Sequence, residues 1–142
     1  MARGRTSRGE RIVLSGLLAG VVVNVIETVV HRFLFRSYEE LGREPLTMSG
    51  ASLIWVVGLV FGIMLAWLYA AIRPRYGAGP KTAILAGFYL WIVAGLLVWI
   101  GFSPLLRWGM RLMIIGIVTN LVAYVVAGLV AGYLYKGEAA AA

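Results

Sequence analysis

Four apolar stretches dominate the chain, residues 12–35, 52–72, 82–102 and 112–135, and short polar connections separate them. Each is about the length of the roughly 20 helical residues that cross a hydrocarbon core about 30 Å thick. No Asp, Glu, Lys or Arg interrupts the second, third or fourth stretch. Connections this short make consecutive helices antiparallel neighbours. The pattern therefore predicts an all-α fold, an integral membrane bundle of four antiparallel transmembrane helices. A basic tail, residues 1–11, precedes the bundle and a short tail, residues 136–142, follows it. The first stretch is too long for the apolar region of a signal peptide and lacks a small-residue cleavage site, so it is expected to stay as an uncleaved span.

The connections carry their own signals. Ser37 and Glu40 have capping-box spacing, which predicts a separate helical turn, and Gly42 is a natural stop. Pro45 forces an extended segment, after which Ser49 or Ser52 is placed to cap the second span. Pro74 is expected to end that span. Gly77 and Gly79 permit a sharp turn, and Pro80 suits the first turn of the third helix.

Composition explains what solvates such a bundle. Hydrophobic residues make up 61% of the 142 and charged ones 13%, against about 25% charged in a soluble domain. A soluble fold of this size has no interior large enough for that much apolar surface, so lipid must solvate much of it. The net charge of +7 is no nucleic-acid signature, because the basic residues gather at the ends of apolar runs. There they face anionic lipid head groups and set topology. The N-terminal tail, the 73–81 connection and the C-terminal end carry eight Lys and Arg, and the other two connections carry five. This predicts an inner-membrane protein with both termini cytoplasmic and with Arg73, Arg75 and Lys81 on lipid head groups. Trp55, Trp99, Phe102 and Trp108 would ring the outer interface, and Trp67, Tyr69, Tyr76, Tyr133 and Tyr135 the inner one.

The first span is the unusual one. Gly16, Gly20, Asn24, Glu27 and His31 share one face at about 100° per residue. Glu27 is the one carboxylate inside a predicted span, about 6 Å below the outer surface by helix rise. Gly20-x-x-x-Asn24 is echoed by Gly116-x-x-x-Asn120 in the fourth span, and Gly58-x-x-x-Gly62 by Gly128-x-x-x-Gly132. Small residues at that spacing let helices approach closely. Counting along antiparallel spans sets Asn24 opposite Asn120 with Thr119 near, and puts Glu27 above them toward Arg111. The face from Gly16 to His31 then reads as the seam against span four. Two roles fit this polar cluster, a device that fixes helix register or a protonatable group on a pocket or path.

Other chemistry finds little support. One histidine and one nearby carboxylate are too few to close a metal site, so neither a metal nor another cofactor is expected. Gly77-Ala-Gly-Pro-Lys81-Thr82 lacks the order of a phosphate-binding loop and follows no strand. Aspartate and cysteine are both absent, and no enzyme activity is expected.

Asn24-x-x-Glu27, followed by Trp67-Leu-Tyr-Ala-Ala-Ile-Arg-Pro-Arg-Tyr-Gly-Ala-Gly-Pro-Lys-Thr-Ala83, resembles a group of small uncharacterised bacterial four-helix membrane proteins. The likeness runs from span one through span four, and the Arg-Pro-Arg-Tyr-Gly turn is its most specific part. It implies a bacterial inner membrane and supplies no activity. The group tends to carry a carboxylate on its fourth helix, where this chain has Thr119-Asn120. The sequence thus leads to a non-enzymatic helix-packing subunit of a homo-oligomer or larger membrane complex. The alternative is a small transporter or proton-linked carrier that uses Glu27.

Overall fold

The computed structural model describes residues 7–42, 44–106 and 109–135. Two long helices come first, α1 (Arg8–Glu40) and α2 (Met48–Tyr76). The third span is composite: α3 (Pro80–Leu90), a π-helical turn (Trp91–Leu96) and α4 (Leu97–Leu106). The fourth is α5 (Gly109–Leu134). All four spans are long and apolar enough to cross a bilayer, and no more than a third of any span's most apolar window is buried inside the protein. The remaining apolar surface faces outward around the bundle, with Leu14, Val56, Val93 and Val118 among the exposed side chains. A soluble bundle would carry polar residues there.

Local chemistry sets helix ends differently from several expectations. α1 starts inside the expected basic tail. Ser7 accepts from the Glu10 amide and Glu10 accepts from the Ser7 amide, a complete capping box. The Ser37–Glu40 spacing caps nothing, because α1 runs unbroken through both residues to Glu40. Gly42 then ends it at a positive φ of 70°. The cap of α2 is Thr47, whose hydroxyl accepts from Gly50 N. Ser49 and Ser52 do not cap it, and the Ser52 hydroxyl donates instead to Met48 O. Pro74 does not end α2. It sits in the last turn, and the helix continues to Tyr76 with Gly77 as its cap. Pro80 occupies the first turn of α3 as its fixed φ favours. The turn between these helices is tied from both sides: Gly79 N donates to the Tyr69 hydroxyl at 3.2 Å, and the Thr82 hydroxyl donates to Gly77 O at 2.7 Å.

α1 packs most closely on α2 and α3 on α5, and α1 and the third span flank the α2–α5 contact from opposite sides. Glycines bring backbones together where α1 meets α2 and where α3 meets α5. A methyl group added at Gly20 would lie 2.6 Å from Leu59 Cα, and one at Gly62 would strike the Gly16 carbonyl and the Gly20 backbone. Across the bundle, a methyl at Gly87 would meet Tyr124 O at 2.5 Å, and one at Gly128 would meet Ala83 O at 2.6 Å. The Gly16 and Gly20 face of α1 therefore packs on α2, which corrects its expected place against span four. The core sits toward the end that carries the chain termini, where Leu65, Ala66, Ala83, Ala86, Ala127 and Ala131 are buried. Tyr69 and Tyr135 meet edge to face there, 5.9 Å between ring centres, and both are buried. They are core residues and not interface anchors, whereas Trp67, Tyr76 and Tyr133 are exposed.

Farther from the termini the third span parts from α2. The π turn carries an i→i+5 bond from Leu97 N to Ile92 O, and the extra residue re-phases every side chain beyond it. Trp91 inside the turn donates from its indole to Ile117 O of α5 at 2.9 Å. Among the described residues the α3 backbone comes within 8 Å of α2, Cα to Cα, whereas those of the π turn and α4 do not. Trp108 and the 136–142 tail lie outside the described residues.

Gly62→Leu is expected to cost about 1–3 kcal/mol or more, since backbone atoms cannot move aside for the new side chain. Gly101 has open space around it, so Gly101→Ala is expected to change stability little or to gain up to about 1 kcal/mol from helix propensity. Thermal loss of helicity in detergent reads both, and a Gly62→Leu protein that melts like the parent would show that close approach does not join α1 to α2.

Candidate functional site

The parting of α2 and α4 leaves a cavity of about 550 Å³ in the half of the bundle away from the termini. Ile54, Val57 and Phe61 of α2 form one wall, Ala94, Val98 and Phe102 of the third span face them, and Asn120 and Tyr124 of α5 lie at the back. α1 contributes Asn24, Glu27, Thr28 and His31.

Glu27 is the centre of its polar side. The Asn120 amide donates to Glu27 Oε1 at 2.6 Å, a bond between side chains of antiparallel helices. The other carboxylate oxygen lies 3.6 Å from His31 Nδ1. That ring nitrogen is also 2.7 Å from Glu27's own backbone carbonyl. A carbonyl only accepts, so Nδ1 carries the proton and donates. In the neutral ring, Nε2 is then the accepting nitrogen. The ring stacks on Tyr38, two helical turns on, with centres 5.8 Å apart and planes 20° from parallel. A fifth of the Glu27 side chain remains accessible, on the cavity side.

Asn24 is buried, and it does another job. Its amide donates to Trp55 O of α2 at 2.9 Å, and its side chain lies directly over Gly58, where any β-carbon would collide with it. Asn120 sits over a glycine too, since a methyl at Gly95 would come within 3.2 Å of its Cβ. Each asparagine is thus seated on a glycine of a neighbouring helix, and the two echoing G-x-x-x-N segments serve different seams.

The expected pairing of Asn24 with Asn120 is replaced by Asn24 with α2 and Asn120 with Glu27. Glu27 lies level with Asn120 rather than above it, a displacement of about one helical turn. Counting from span ends does not fix this register, because α1 runs beyond its expected span at both ends, from Arg8 to Glu40. Arg111 is exposed and is not among the cavity residues. Within the described residues the ion-pair partner of Glu27 is His31. Thr119 is half-buried beside Asn120 and also lies off the cavity. Arg75 and Lys81 are exposed at the other end of the bundle, Arg75 over the Tyr76 ring, whereas Arg73 is partly covered and stands over the Tyr135 ring.

Several cavity residues carried no sequence signal as such. Trp55, Trp99 and Phe102 read as interface anchors, and they also line the cavity. Trp99 also packs on Gly116. Tyr124 meets Phe61 edge to face with ring centres 5.9 Å apart. Among the described residues no three His, Cys, Asp or Glu side chains converge on a point. The site offers one carboxylate, one imidazole, two amides and an apolar, aromatic wall, which is equipment for binding. No protein-family model, curated protein or solved structure matches the chain.

A double-mutant cycle separates the two asparagines. Glu27→Ala and Asn120→Ala are expected to couple by about 0.6–2 kcal/mol in detergent unfolding, because they share a bond across helices. Asn24→Ala and Asn120→Ala share no partner and are expected to add within about 0.5 kcal/mol. The reverse pattern would restore the pairing of the asparagines.

Proposed function

We propose that this chain is a non-enzymatic bacterial inner-membrane protein that takes a small molecule into the cavity beside Glu27, as a small carrier does. The observation that carries the reading is the 550 Å³ cavity reaching a carboxylate that has one oxygen held by Asn120. A cavity of about 300–1,000 Å³ with apolar walls and a few convergent polar groups is what small-molecule sites look like. An intramembrane carboxylate with a named partner is the usual mark of a functional position. Two amides and a hydrophobic filling would fix helix register more simply than an open cavity does.

The competing role is a helix-packing subunit of a homo-oligomer or larger complex. Its support is the apolar surface around the bundle. Against it, the glycine stripes that favour helix association are used within the chain, Gly16 and Gly20 on α2, Gly87 and Gly128 between α3 and α5. The orientation follows the Lys and Arg distribution, with both termini in the cytoplasm and the cavity in the outer half. Arg75 and Lys81, with Arg73 beside them, then meet anionic head groups of the inner leaflet.

Mass analysis of the gently solubilised protein tests the choice. The carrier reading expects a bound small molecule on the chain that is lost in Ala94→Trp, which fills the cavity. A defined multimer with no small molecule on either protein would favour the subunit. For orientation, a fluorescent protein that folds only in the cytoplasm is expected to light up when fused to either terminus, and darkness at both would invert the topology.

A further inference from the structure

The cavity's charge and wall chemistry restrict what fits it. Among the described residues that line it, Glu27 is the acidic one and neither lysine nor arginine is present. His31, also on the lining, stands 3.6 Å from that carboxylate, and its Nδ1 proton is given to a backbone carbonyl. Aromatic rings of Trp55, Phe61, Trp99, Phe102 and Tyr124 surround the remaining space. Ring faces attract cations, more strongly where water is excluded. Among the described lining residues an anion would meet a carboxylate and neither lysine nor arginine. A sugar or other polyol would bury hydroxyls against walls that offer few hydrogen-bonding groups, and unsatisfied polar groups are costly.

From this we infer that the site takes a lipophilic organic cation, an apolar or aromatic body of drug-like size carrying one ammonium or phosphonium charge. The inference rests on the reading that the cavity is a ligand site. The charge sits toward Glu27, whose Oε1 stays oriented by Asn120. The apolar body lies between α2 and α4. Among the described residues no Cα of α2 comes within 8 Å of one of α4, and their facing residues Ile54, Val57, Val98 and Phe102 are all substantially exposed. The cleft therefore opens sideways toward the hydrocarbon, where a lipophilic cation concentrates.

Tetraphenylphosphonium and tetraphenylborate have nearly the same shape and opposite charge, so they test the sign directly. The full chain in neutral detergent is titrated with each, against protein-free micelles, by equilibrium dialysis and by quenching of tryptophan fluorescence. The phosphonium is expected to bind at one site per chain, roughly tenfold or more tighter than the borate. Glu27→Gln keeps an acceptor for Asn120 and is expected to erase that preference while both ions still enter the cavity. The comparison between ions on the unaltered protein needs no variant to fold. Equal binding of both ions, or a preference unchanged in Glu27→Gln, overturns the cation assignment. In that case binding lost in Ala94→Trp leaves the cavity as a ligand site. If neither ion binds and no small molecule is found on the solubilised chain, the cavity reading fails and the cation assignment fails with it.

Discussion

The contact of α1 with α2, backbone against backbone, governs where everything polar goes. Gly16 and Gly20 face Gly58 and Gly62 with no room for a β-carbon at any of the four. Asn24, one turn farther along, is locked over Gly58 and bonded to the Trp55 carbonyl. Three successive turns of α1 are thereby held at one azimuth. A helix advances about 100° per residue, so Glu27 then has little freedom in direction. It points past α2 to α5, where Asn120 receives it. Without the glycine contact α1 would stand farther off and turn freely, and the carboxylate would lose its partner.

The bundle is close-packed at one end and open at the other. Alanines, glycines and a tyrosine pair fill the half near the termini, where α3 lies against both α2 and α5. The π turn then changes the phase of the third span. Trp91 anchors that turn to the α5 backbone, Gly95 makes space beside Asn120, and α4 continues in contact with α5 but away from α2. The cavity follows from this divergence. Bulky aromatics collect at its walls and leave it only partly filled. A packed region holding one geometry beside a less packed region is also the arrangement expected of a site that must admit a ligand, because local opening draws on the less stable part of a fold.

Much of the architecture was legible before any coordinates. The four spans and the turn at Gly77 to Pro80 follow from local rules, apolar length and backbone chemistry, that act within a few residues of one another. So does the sharing of one face by Gly16, Gly20, Asn24, Glu27 and His31. Legibility ended where choices became relative. Ser37–Glu40 and Ser7–Glu10 have the same spacing, and only the second becomes a cap, because α1 continues through the first. Pro74 reads as a stop and is accommodated in a last turn whose end is set by Gly77. Trp55 and Trp99 look like interface anchors from their positions in the chain, and that they also wall a cavity depends on the other helices around them.

The sequence by itself determined the solvent, the number of spans and which side of α1 is polar. Each depends on composition and on the fixed pitch of a helix, so no distant contact can change it. Which helix that side faces was a tertiary decision. Span four and α2 both offered small residues at the right spacing, and the choice between them rested on how whole surfaces fit. The depth match of Glu27 with Asn120 was decided in the same way, by a register that depends on helix ends and crossing geometry together. The cavity belongs wholly to the fold, because an unfilled volume arises among helices that part and is encoded in no single residue.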